Sequence, residues 1–173
     1  MYLRTTKTMD ISSIRNRDLP AGCVWMSKAV MDNVMFTHPE DRNIQNTVFG
    51  GFIMRQATEL SAILGYKYSR QRPILKSISD INFQKPISIG SLLQMHAYVV
   101  FTEENYLQFI VIATAYDTKT FITQQTNTFH ITYRTAEKVP EVIPSTYHQT
   151  MMFVDGRRHF LGALKKESMH QEK

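Results

Sequence analysis

The strongest pattern along the chain is helical. Behind Gly50-Gly51, apolar residues recur at Ile53, Ala57, Leu60 and Leu64, the i, i+4, i+7, i+11 spacing of one helix face. This predicts a helix from Val48 to Leu64, about four turns, that stops near Gly65. At about 100° per residue, Glu59 falls about 120° from the centre of the stripe, beside Gln56 and Phe52, on the rim of the buried face. Beyond Pro73 the pattern changes. Segments 74–84, 91–102, 106–117 and 121–134 are rich in β-branched and aromatic residues and read as strands. They are punctuated by "PISIG" (Pro86 to Gly90), "TEEN" (Thr102 to Asn105) and "DTKT" (Asp117 to Thr120). Short turns between the last three predict an antiparallel meander. Upstream, "CVWMSKAVMDNVMFT" has strand composition, with Val24, Trp25, Val30, Val34 and Phe36. A strand, a long helix and then a meander make an α+β domain, a central helix wrapped by one antiparallel sheet.

The boundaries follow from where these patterns begin and end. Residues 1–20 read as a lead-in ending at Pro20, residues 21–137 as the folded domain, and 138–173 as a polar C-terminal extension that runs along the surface or frays. No internal repeat is present, so the chain holds one such unit.

Composition narrows the chemistry. The 173 residues are 43% hydrophobic, enough for one sizeable core, and no stretch approaches the roughly 20 apolar residues of a membrane span. The single cysteine, Cys23, excludes an internal disulfide and reads as a small apolar residue. The N-terminus has no acid before Asp10 and the Arg, Ser and Thr content of a transit peptide, without its amphipathic pattern. A net charge of +5 suits an anionic partner, yet the basic residues are scattered and form no nucleic-acid signature. The six histidines show no His–Asp pair or metal-ligand spacing, so no metal or cofactor is expected. His38 reads as structural, and His96 and His130 as members of polar strand faces.

The stretches "HPEDRNIQNTVFGGFIMRQATEL", "DINFQKPISIGSLL" and "VDGRRHF" resemble acyl-CoA thioesterases of the hotdog fold, in particular the second hotdog of the mitochondrial acyl-coenzyme A thioesterase 9 type. The resemblance runs from about Asp10 to about Leu161. It implies a central helix in a curled antiparallel sheet, hydrolysis of acyl-CoA, a mitochondrial location, and a site completed by pairing with a second hotdog, in a homo-oligomer or in the same protein. Two features depart from the family. Those enzymes carry two hotdogs per chain. Many also place an Asn three residues before the first glycine and an acid seven after the second, where this chain has Thr47 and Thr58.

Thioester hydrolysis needs an activated water, a base within hydrogen-bond reach, and donors for the developing oxyanion. The first turn of a helix offers unpaired N–H groups and the positive end of the dipole. Gly50 and Gly51 would let a carbonyl approach those groups with no Cβ in the way. Asn46 is the candidate to orient the water or the carbonyl, with a cap as its alternative role. Glu59 is the candidate base, its own or a partner's, with a rim pair to Arg55 as the alternative. Asp80 is a weaker candidate. Arg42 and Lys85 are expected to meet the CoA phosphates, and Phe49 and Phe83 the substrate. Three other readings compete: a non-catalytic acyl-CoA-binding half, a nucleic-acid module supported only by the pI, and a hotdog dehydratase, which would need a His–acid pair.

Overall fold

A computed structural model describes residues 19–79 and 85–171 of the chain. Two short strands, β1 (Cys23–Trp25) and β2 (Val30–Phe36), come first, separated by a 3₁₀ turn at Met26–Lys28. A second 3₁₀ turn at Pro39–Asp41 leads to helix α1 (Gly50–Ser69). Strands β3 (Ile74–Ser79), β4 (Leu92–Glu103), β5 (Tyr106–Tyr116), β6 (Thr123–Arg134) and β7 (Glu141–Ile143) follow, then helix α2 (Tyr147–Gln171). The main sheet has the order β2-β4-β5-β6-β3, and every neighbouring pair is antiparallel. The expected meander is its centre, and β1 pairs separately with β7, in parallel.

The predicted stripe faces the sheet: Ile53, Ala57, Leu60 and Leu64 are all buried. They meet the inner residues of three central strands, among them Met95, Ala97 and Val99 of β4, Phe109 and Val111 of β5, and Phe129 and Ile131 of β6. Alternation along each strand sends the intervening residues to the opposite face. Tyr133 fixes the helix in place along the sheet. Its ring packs edge-on against Phe109, at 86° and 5.5 Å between centroids, and its hydroxyl donates to the Thr58 carbonyl at 2.8 Å. The same hydroxyl lies 3.2 Å from the Ser61 hydroxyl. Burial of the tyrosine pushes its pKa up.

The helix is longer than its sequence pattern indicates and does not stop near Gly65. It runs through that glycine to Ser69 and ends at Arg70 in the left-handed conformation, φ 59°. Gly65 serves packing instead, because a Cβ there would lie 3.2 Å from the Phe109 ring and 3.3 Å from Pro73.

The C-terminal extension also differs from expectation. Residues Tyr147–Gln171 form α2, which lies against the outer face of the sheet, over β4 and β5. A register shift in β4 between Val99 and Phe101 turns Val100 and Phe101 together toward this helix. Phe101 contacts the rings of Phe153 and Phe160 at 5.2 and 5.3 Å, and Phe160 is 1% exposed. Polar composition hid these few aromatic anchors. Among the described residues no helix is long and apolar enough to cross a membrane.

At Gly156 the backbone of α2 comes so close to the sheet that a Cβ would lie 2.4 Å from Val100 Cγ2. Gly156→Val should therefore overpack the contact and cost about 1–3 kcal/mol, read as a lower urea midpoint. An unchanged midpoint would show that α2 contributes nothing to global stability.

Candidate functional site at the start of the central helix

The residues before α1 form a small hairpin. Arg42 bridges Val48, Thr47 bridges Ser88, and the Val48 N–H donates to the Ile87 carbonyl at 2.9 Å. Asn43 organises the turn. Its Oδ1 accepts from the Gln45 and Thr47 N–H groups at 2.9 and 3.1 Å and lies 3.2 Å from the Thr47 hydroxyl. Asn46 takes the left-handed conformation at the tip, φ 62°, which asparagine tolerates better than most residues. Its side chain is exposed and makes no hydrogen bond among the described residues. It does not cap α1: the N-cap is Phe49, with no side-chain cap bond. Arg42, Asn43, Ile44 and Asn46 line an open surface hollow of about 400 Å³.

At the helix start the backbone N–H groups divide into bound and unbound ones among the described residues. The Phe49 N–H is bound by the Asp41 carbonyl at 2.8 Å, while the Phe52 and Ile53 N–H groups return to the Phe49 carbonyl. Among the described residues the N–H groups of Gly50 and Gly51 meet no acceptor. The Phe49 ring lies over Gly51, whose Cβ, if present, would fall 2.3 Å from Phe49 Cε1. Gly51 thus has a second reason to be glycine, and the ring covering it is 58% exposed.

Glu59 is not brought to this place within the chain. It stands nine positions after Gly50 along α1, a rise of about 13 Å. Its carboxylate instead accepts from Arg55 Nε at 2.9 Å, with the two side chains 50% and 72% exposed. At the neighbouring family position, the Thr58 hydroxyl is turned back onto the Met54 carbonyl at 2.8 Å. Lys85 is exposed two residues before Ile87, the partner of Val48, and so stands near the hairpin as Arg42 does. Phe83 and Asp80 lie outside the described residues.

Among the described residues, two acid–histidine groups appear that were not expected from the sequence. His96 Nδ1 lies 2.7 Å from Asp32 Oδ1 across the β2–β4 pair. His130, Asp155 and His159 gather between β6 and α2. Asp32 is far from His96 in sequence, and His130 is far from the Asp155–His159 pair of α2; neither group lies at the helix start. Neither of these two groups supplies, beside the glycines, the His–acid pair a dehydratase would need.

Residues 45–121 match the thioesterase superfamily. The chain carries a hotdog domain of that superfamily. Over 160 residues it is 41% identical to the mitochondrial acyl-coenzyme A thioesterase 9 of Bos taurus, covering 92% of this chain and 36% of that protein. The chain thus spans about a third of the length of this curated relative. Among solved structures, the acyl-CoA hydrolase of Staphylococcus aureus in complex with butyryl coenzyme A, coenzyme A and coenzyme A disulfide superposes with a TM-score of 0.74. It is 21% identical, over 87% of this chain and 99% of that one. An apo-hexameric acyl-CoA thioesterase superposes with a TM-score of 0.79 at 18% identity, over 84% and 97% of the two chains. At those identities the superpositions establish the shared fold of this superfamily domain.

The hairpin separates backbone from side-chain effects at Asn46. Asn46→Gly should leave stability nearly unchanged, whereas Asn46→Ala should cost about 1 kcal/mol for the left-handed backbone. Asn43→Ala should cost more than Asn46→Gly, by about 1–2 kcal/mol, with faster amide exchange at Gln45 and Thr47. Urea denaturation and hydrogen exchange of the three variants check the order.

Proposed function

We propose that this domain works in the hydrolysis of acyl-CoA thioesters to a free fatty acid and CoA. The observation that carries the reading is the pair of N–H groups at Gly50 and Gly51, unpartnered among the described residues, at the positive end of a 20-residue helix, inside a thioesterase-superfamily domain. The thioester carbonyl oxygen accepts from these groups, which hold the charge that develops as water attacks. A carboxylate takes the water's proton, the C–S bond breaks, and the sulfur leaves protonated as CoA. Asn46, at the hairpin tip beside the helix start, orients the carbonyl or the water. Arg42 and Lys85 meet the CoA phosphates, and Phe49 and Phe83 meet the acyl group. Removing one oxyanion donor from an enzyme costs about 2.7–4 kcal/mol, so the glycine N–H groups rank as the main electrostatic element.

The base in this reading comes from a second hotdog, and is Glu59 when that unit is another copy, because about 13 Å of helix separates Glu59 from the glycines of its own chain. Release of the carboxylate from Arg55 is cheap, since an exposed i, i+4 pair is worth about 0.3–0.5 kcal/mol. The second hotdog comes from another copy or from the remainder of a longer protein. The hexameric form of one structural neighbour supports such pairing, and the name of the Bos taurus relative supports a mitochondrial location.

One observation favours a second reading, a non-catalytic acyl-CoA-binding half. At the family's acid position the Thr58 hydroxyl is already committed to its own helix, so the acid would come from elsewhere entirely. Free-thiol release across short to long acyl-CoAs separates the two. Glu59→Gln should lower kcat by about 10²–10⁴ with CoA binding intact. Asn46→Gly should lower it comparably, and the two losses need not add. Full activity in Glu59→Gln would remove that residue from the mechanism. Intact CoA binding without turnover in the wild type would establish the binding half.

A further inference from the structure

The motif "VDGRRHF" places its aspartate and its histidine four residues apart on α2, so Asp155 and His159 share a helix face. The Gly156 contact with Val100 holds that face tight against the sheet, where His130 of β6 meets it. Asp155 Oδ2 lies 3.7 Å from His130 Nε2 and 3.5 Å from His159 Nδ1. All three atoms lie within 4.8 Å of one another. The side chains of His130 and His159 are 7% and 11% exposed, while that of Asp155 is 38% exposed and leaves a way in from solvent.

We propose that His130, Asp155 and His159 form a binding site for a divalent transition-metal ion of the zinc class, which clamps α2 to the sheet. A tetrahedral ion with bonds of about 2.0–2.2 Å needs ligand atoms about 3.3–3.5 Å apart, and two of the three separations are already within a few tenths of that. Two imidazoles and a carboxylate are the ligand types such ions take, and a fourth position stays open to water. Arg158 Nη2 donates to Asp155 Oδ1 at 2.7 Å, which orients the carboxylate and leaves Oδ2 turned to the histidines, as outer partners of metal ligands do. The two imidazole rings are stacked, 3.5 Å between centroids and 8° from parallel. Their in-plane lone pairs therefore converge on one ion only after a ring turns about its Cβ–Cγ bond, a soft torsion. His159 is the ring that turns. Its Nδ1–H now donates to the Asp155 carbonyl at 2.9 Å; ligation breaks that hydrogen bond and the proton passes by way of solvent to Nε2, so the ring binds the ion through Nδ1 as a neutral imidazole.

The experiment is zinc titration of untagged, chelator-treated protein by calorimetry, with cobalt(II) absorption as the readout of coordination geometry. Wild type should bind one zinc per chain, give a tetrahedral cobalt spectrum, and unfold at a higher temperature with zinc than without. Asp155→Asn and His159→Asn should each weaken zinc binding by more than about 10-fold, the loss seen even for outer partners of a metal site. His130 is buried, so its variant is a poor test. The two helix variants keep the test independent of folding when circular dichroism shows them native. No zinc binding by wild type overturns the proposal. Equal binding by wild type and both folded variants overturns it too.

Discussion

Everything else in the structure depends on the seating of α1 in the curved sheet. Ile53, Leu60 and Leu64 supply most of the energy of that contact, each worth about 1.5–3 kcal/mol when fully buried. Packing alone would tolerate sliding along the helix axis. The Tyr133 hydroxyl, donating to the Thr58 carbonyl, contributes only about 1 kcal/mol, but it is directional and selects one position. Once the helix is fixed along its axis, its N-terminus must emerge where the hairpin around Asn43 closes against Ile87 and Ser88.

That geometry divides the candidate chemistry. Donors lie at the helix start, and the carboxylate candidate lies two and a half turns further down, a separation that no side-chain rotation closes. A composite site follows if the domain is catalytic, with donors from one unit and a base from another. The main sheet is compatible with pairing, because β2 and β3 stand at its two edges and an edge strand presents unpaired backbone groups.

The second helix gives the sheet a face to cover on the other side. β4 achieves this with its irregularity at Val100, which sends two successive residues to the face that α2 occupies. A strand of strict alternation would have sent one of them into the α1 core. Packing of Phe160 and Phe153 around Phe101 also brings Asp155 and His159 to His130, so polar chemistry on this side is a consequence of apolar docking.

The buried stripe of α1, the three meander strands and the two glycines at the helix start were legible in the sequence, because periodicity and turn chemistry are local and act within a few residues. The C-terminal end of α1 shows the limit of such signals. Gly65 looks like a stop, yet the helix passes through it because the Phe109 ring and Pro73 occupy the space where a side chain would go. α2 was missed for a related reason: its few inward aromatics are diluted by polar residues, and only the outer face of the sheet shows which of them matter. The amino-acid pattern also nominated Asn46 and Glu59 together, since both stand one residue from a family position. Only the tertiary structure set the first in a left-handed turn beside the glycines and the second on an exposed pair with Arg55. His130 is likewise distant in the chain from Asp155 and His159 and adjacent to them in the fold. Local sequence determined which segments are helix and strand. Long-range packing decided which side chains meet, because those distances depend on register and helix placement that no short stretch encodes.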